Sequence, residues 1–177
     1  CILILSNFVG VCRKMSNNVK MQEGAPSAQS SINENFAFAL DYFMKTEKYG
    51  ARELARKCNV NVSAIYKWKR GDACPGFRNL VLLADEFGCS IDCLIGREPI
   101  ENDYGFTSKT APKPFCDNFN EILSEKGLTE YRLVKMMGVS RTKISSWRKG
   151  NSLPDAKGLC DLADALDVSA DSLAGRI

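Results

Sequence analysis

The 177-residue sequence predicts an all-α protein made of two tandem copies of one five-helix domain, joined by a proline-containing linker. Two observations carry the prediction. Sliding the sequence along itself by 79 residues lays residues 36–97 on 115–176 without a gap. Within each copy, apolar residues recur at three- and four-residue spacing between cap and turn signals. The coincident pairs include Phe36 with Phe115, Leu54 with Leu133, Ile65 with Ile144, Trp68 with Trp147, Gly71 with Gly150, Pro75 with Pro154, Asp92 with Asp171 and Gly96 with Gly175. Chance does not keep both tryptophans, the glycines after them and the prolines four residues later in one register. The predicted organisation is a flexible N-terminal extension over 1–34, domains over 35–97 and 115–177, and a linker over 98–114.

Composition narrows the class. Apolar residues make up 45% and charged residues 25%, the balance of a chain that folds around a core. A net charge of +3 is too small to identify a partner, so the distribution of charge has to decide. With no histidine, the commonest general base and the commonest zinc ligand are both missing. The eight cysteines follow no CxxC spacing and point to a reduced, cytoplasmic chain. Cys58, Cys74, Cys89 and Cys160 stand opposite Met137, Leu153, Val168 and Val81, which predicts that they serve as small core residues. Cys93, opposite Ser172, is less clear-cut. The apolar opening from Cys1 to Cys12 is too short to span a bilayer and lacks a basic flank, so no membrane role and no signal peptide are assigned to it.

Each element follows in order. Phe36, Leu40, Phe43 and Met44, and likewise Phe115, Phe119, Ile122 and Leu123, share one face of a first helix. A short second helix buries Leu54 and Ala55, or Leu133 and Val134. The turn that follows needs a left-handed residue, supplied by Asn59 or Gly138, and then a cap, supplied by Asn61 or Ser140. In the third helix Ile65 and Trp68, or Ile144 and Trp147, lie three apart and pack it down, leaving the opposite face open. That spacing makes the tryptophans core residues rather than stacking platforms for single strands. Gly71 and Gly150 end this helix, and Pro75 and Pro154 precede a fourth that carries Leu80, Leu83, Ala84 and Phe87, or Leu159, Leu162, Ala163 and Leu166. Ser90 and Ser169 cap a last short helix.

With these residues in place, each copy resembles the helix-turn-helix domain of the Cro and repressor (Xre-type, lambda-repressor-like) family. The resemblance covers about two-thirds of the chain and is strongest in LTEYRLVKMMGVSRTKISSWRKGNSLPDAKGLCDLADALDVSADSL of the second copy. It implies that the third helix enters the major groove of double-stranded DNA. The matching base-reading positions are Val62, Ser63 and Lys67 in the first copy and Arg141, Thr142 and Ser146 in the second. Lys69, Arg70, Lys143, Arg148, Lys149 and Asn151 fall nearer phosphate. Arg141 suits a bidentate pair with guanine, and Val62 a thymine methyl group.

Charge distribution agrees. Arg52, Arg56, Lys57, Lys67, Lys69 and Arg70 cluster on the second and third helices of the first copy, as do Arg132, Lys135, Arg141, Lys143, Arg148 and Lys149 in the second. Asp155, Asp161, Asp164, Asp167 and Asp171 fall on the last two helices, where solvation accounts for them. The sequence departs from the family at the start of the second helix, where relatives often carry Gln and this chain has Ala51 and Glu130. Glu130 repels phosphate unless it turns away or caps a helix.

The expected function is sequence-specific binding of double-stranded DNA by a transcription regulator of the repressor type, without a cofactor, metal or enzymatic activity. A monomer with two readers can act as a pseudo-dimer on unlike half-sites. An extended linker of 17 residues reaches about 55–60 Å, more than the roughly 34 Å between half-sites on one DNA face. The alternative is a protein-interaction regulator of the antitoxin or antirepressor type, in which one copy binds a protein partner; Glu130 and the acidic face of the second copy motivate it. Self-association is a further expectation for either class.

Overall fold

A computed structural model describes residues 28–98 and 113–177, which form ten helices and no strand among the described residues. Residues 1–27 of the extension expected over 1–34, and residues 99–112 of the linker expected over 98–114, lie outside the described residues. Helices α1 (Ala28–Thr46), α2 (Ala51–Lys57), α3 (Val62–Lys69), α4 (Phe77–Phe87) and α5 (Ile91–Leu94) make up the first half. The second half holds α6 (Phe115–Glu125), α7 (Glu130–Met137), α8 (Arg141–Arg148), α9 (Ala156–Leu166) and α10 (Ala170–Ala174).

The local signals act as their chemistry requires. Phe36, Leu40, Phe43 and Met44 of α1 are buried, as are Phe115, Phe119, Ile122 and Leu123 of α6. Asn61 and Ser140 cap α3 and α8 by accepting from the backbone N–H groups of Ser63 and Lys143. Ser90 and Ser169 do the same for Cys93 and Ser172 in α5 and α10. The turns before α3 and α8 pass through the left-handed region at Asn59 (φ 50°) and Gly138 (φ 65°), which is why one half uses asparagine and the other glycine there. Cys58, Cys89, Cys93 and Cys160 are buried and in no disulfide, while Cys74 is only half-buried. Burial holds the Cys58 and Cys160 thiols at about 11 and Cys74 at about 12, so none of the three is a nucleophile near neutral pH. One boundary differs from expectation. Helix α1 begins at Ala28, so the last residues of the expected extension are helical, with Ile32 packed against the core.

The halves meet through α1, α4 and α5 on one side and α6, α9 and α10 on the other. The Phe77 and Phe115 rings cross edge-on with centroids 5.1 Å apart. Beside them lies a charged cluster that is duplicated at the repeat distance. Ile91 N–H donates to Asp171 Oδ2 at 2.9 Å, and Ala170 N–H donates to Asp92 Oδ2 at 2.7 Å. Arg97 bridges Asp92 of its own half to Asp164 of the other (2.5 Å), and Arg176 bridges Asp171 to Asp85 (2.9 Å). The N-termini of α5 and α10 therefore face each other, each with its first N–H bonded to a carboxylate from the opposite half.

This corrects the expectation that the carboxylates of the last helices need only solvent. Asp92 and Asp171 are 2% and 1% exposed and are held by arginine and backbone donors. A buried carboxylate without such donors is too costly to keep charged. Periodicity could not place them inside, because the surface that buries them is contributed by the other half.

Candidate nucleic-acid interface

Helices α3 and α8 are seated by Ile65 and Trp68, and by Ile144 and Trp147, all at most 5% exposed. The Phe36 ring meets Trp68 edge-on at 6.3 Å, tying α3 to α1. Behind Trp147 the fit is closer still: a Cβ at Gly158 would lie 3.1 Å from the indole, so a glycine lets α9 approach α8. With one side anchored, each helix turns its polar side outward, as expected from the Ile–Trp spacing.

On α8, Arg141 and Thr142 are exposed at the first turn, and Ser146 is half-buried one turn on, its hydroxyl 2.8 Å from that of Ser152. An open groove brings together Glu130, Arg141, Thr142, Ser145, Ser146, Lys149 and Asn151. Five of these were expected from sequence to face DNA; Ser145 was missed, and Glu130 entered only as a departure from the family. The Lys143 ammonium lies 5.1 Å from the centre of the Trp147 ring.

Glu130 is neither turned away nor capping a helix end. Its Oε1 accepts from Arg141 Nε at 2.9 Å and its Oε2 from Arg148 Nη1 at 3.3 Å. Arg148 Nε in turn donates to Asn120 Oδ1 at 2.9 Å. A row of polar groups thus runs from α6 to the exposed tip of α8. The Arg141 hydrogen bond, opposed by partial burial, holds the Glu130 carboxyl below its usual range. The Asn120 link was not foreseen, because sequence spacing carries no signal for a contact between residues so far apart.

On α3, Ser63 and Lys67 are exposed, and Ser63 also bonds the capping Asn61 through its hydroxyl (3.0 Å). Val62 is half-buried and leans on the core. Lys69 pairs with Asp41 at 3.1 Å and Arg70 with Asp72 at 2.7 Å. The two outward faces are therefore unequal. At the positions where α7 and α8 carry Glu130 and Arg141, the first half has Ala51 and Val62, which cannot form that ion pair.

Comparison with known proteins agrees with this geometry. Residues 49–92, which run from just before α2 into α5, match a family model described as Helix-turn-helix. Over 49 residues the chain is 41% identical to an uncharacterized HTH-type transcriptional regulator, YazB, of Bacillus subtilis, covering 71% of that protein and 28% of this one. The chain belongs to the helix-turn-helix family. A longer relative, an uncharacterized HTH-type transcriptional regulator of Haemophilus influenzae, is 28% identical over 150 residues, covering 82% of this chain. This helix-turn-helix chain spans 62% of the length of that relative. No solved structure matches it. The family match falls in the first half, whereas the motif most legible in the sequence lies in the second. Among the described residues of this helix-turn-helix protein, no helix is long and apolar enough to cross a membrane.

Proposed function

We propose that the chain is a cytoplasmic transcription regulator that binds double-stranded DNA sequence-specifically and represses by occupying its site. In this reading residues 35–97 and 115–177 are two helix-turn-helix domains, and α3 and α8 each enter a major groove. The observation that carries it is the pair of helices anchored by buried Ile and Trp, each with a polar, largely basic face turned to solvent. Val62, Ser63, Lys67, Arg141, Thr142 and Ser146 then meet base edges. Lys69, Arg70, Lys143, Arg148, Lys149 and Asn151 meet phosphate. The surface ion pairs of Lys69, Arg70 and Arg148 do not oppose this, because exposed pairs are worth about 0–1 kcal/mol and exchange readily for phosphate.

Two contacts support DNA binding over the alternative of a protein-binding regulator. Two guanidinium groups take up the charge of Glu130, and Asp164 and Asp171 of the acidic second-half face are engaged by arginines at the contact between halves.

Titration of the full chain against a selected duplex and a random one, at several salt concentrations, tests the proposal. Affinity for both should fall steeply with salt. Arg141→Ala should cost roughly 1–3 kcal/mol at one base position, whereas Lys149→Ala should weaken all duplexes about equally. Identical losses from both variants on both duplexes would overturn the assignment.

A further inference from the structure

Contacts between the halves are reciprocal. Adding 79 to Ile91 and to Asp92 gives Ala170 and Asp171, and the two backbone bonds run from Ile91 to Asp171 and from Ala170 to Asp92. The same exchange relates Arg97–Asp164 to Arg176–Asp85. Reciprocity of this kind defines an isologous contact about a two-fold axis; a head-to-tail arrangement would join two different surfaces and leave each bond without a twin. The halves are thus related by a pseudo-two-fold axis passing between α5 and α10.

Helices α3 and α8 find their main neighbours within their own halves, α3 on α1 and α2, and α8 on α6 and α7. The contact between halves leaves their outer faces uncovered. A two-fold relation between two reading helices matches the local two-fold axes of a duplex, and so matches inverted half-sites rather than direct repeats. The buried aspartates, the arginines across the axis and the Phe77–Phe115 contact hold the halves in one arrangement, beyond their covalent connection.

We infer that one chain binds one duplex as a built-in pseudo-dimer, reading two unlike half-sites in inverted orientation at a single separation. The inference rests on the proposed DNA-binding function and adds stoichiometry, orientation and spacing to it. The half-sites differ because Arg141 and Thr142 on α8 stand where α3 has Val62 and Ser63.

Selection of duplexes from a random pool by the full chain, followed by sedimentation of the complex, tests it. The expected result is a pair of unlike inverted motifs at one separation, with one chain per duplex. Moving the motifs apart by half a helical turn, about five base pairs, should lower affinity about 10²-fold, to that of a lone motif. Direct repeats, affinity indifferent to separation, or two chains per duplex would overturn the inference. Specific binding to a lone motif that no second motif strengthens would leave the DNA-binding function standing and remove only the pseudo-dimer. Absence of salt-sensitive duplex binding would remove both.

Discussion

Arg141 is the most exposed side chain of the ion pairs on the proposed reading faces, at 83%, yet its Nε is already engaged by Glu130. Engagement at Nε leaves both terminal nitrogens pointing onward, in the fork that suits guanine. On the proposed function Glu130 therefore has two effects of opposite sign: the part of its charge that the two guanidinium groups do not offset opposes phosphate, and its hydrogen bond steadies Arg141. Glu130→Ala should raise affinity for random duplexes while lowering discrimination at one base pair by about 1 kcal/mol. Glu130→Gln keeps an acceptor and should restore the discrimination. Competition titrations with duplexes differing at that base pair separate the effects, and unchanged discrimination in Glu130→Ala would dismiss the steadying role. Asp171 gives a second measurement at this scale. Burial pushes its carboxyl up to about 6, against the opposing pull of Arg176 and the Ile91 N–H. An unfolded aspartate titrates near 3.9, so between pH of about 4 and 6 the folded chain keeps a proton that the unfolded chain has lost. The stability contributed by this group is present below pH of about 4 and is lost as pH rises through 6. Asp171→Asn cannot titrate, so the stability difference between wild type and variant should shrink in favour of the variant over that range. Urea midpoints at pH 4, 5, 6 and 7 check this; a constant difference would contradict it.

Helices α3 and α8 were legible in the sequence because every signal that builds them is local. The cap at Asn61 or Ser140, the left-handed turn before it and the Ile–Trp seat lie within ten residues of one another, and all act as their residue types dictate. The start of α1 was less legible, since a run of Ser, Asn and Gln has the composition of an arm, and Ile32 packs against the core there. Not foreseen were the links made by surfaces distant in sequence: Asn120 with Arg148, and Asp92 and Asp171 with the opposite half. A signal for the last did exist. Asp85, Asp92 and Arg97 recur as Asp164, Asp171 and Arg176, and identity at charged positions away from the reading helix is not needed for solubility. Local construction also makes a prediction for the elements. Ser140→Ala removes the acceptor for the Lys143 N–H and should cost about 1 kcal/mol, which lowers Tm by about 2–4 °C in a chain of this size. Asn61→Ala should cost a similar amount, because its side chain does the same work for α3. Thermal unfolding followed by circular dichroism measures both, and no change in either would mean that water serves these helix ends equally well.

For the molecule as a whole, the two-fold relation is one of chemistry and position rather than of burial. Arg176 is 1% exposed and also donates to the Cys89 carbonyl at 3.1 Å, whereas the side chain of its twin Arg97 is 26% exposed. Water can reach Asp92 by way of Arg97 far more readily than it can reach Asp171. Arg176→Ala takes the cation from a buried carboxylate that keeps the Ile91 N–H, and a donor from the Cys89 carbonyl, and should cost about 3–5 kcal/mol. Arg97→Ala should cost less, because water replaces part of what is lost. Asp171 already holds its proton more firmly than an ordinary aspartate, so the Arg176→Ala loss should narrow as pH falls toward 5, where a neutral carboxyl no longer needs the cation. Guanidinium denaturation of both variants at pH 7 and pH 5 measures this. Equal midpoints for the two variants at pH 7 would show that the halves contribute equally to their contact. A lowered m-value would show that losing one arginine lets the halves unfold separately, since less surface would then be exposed in each transition.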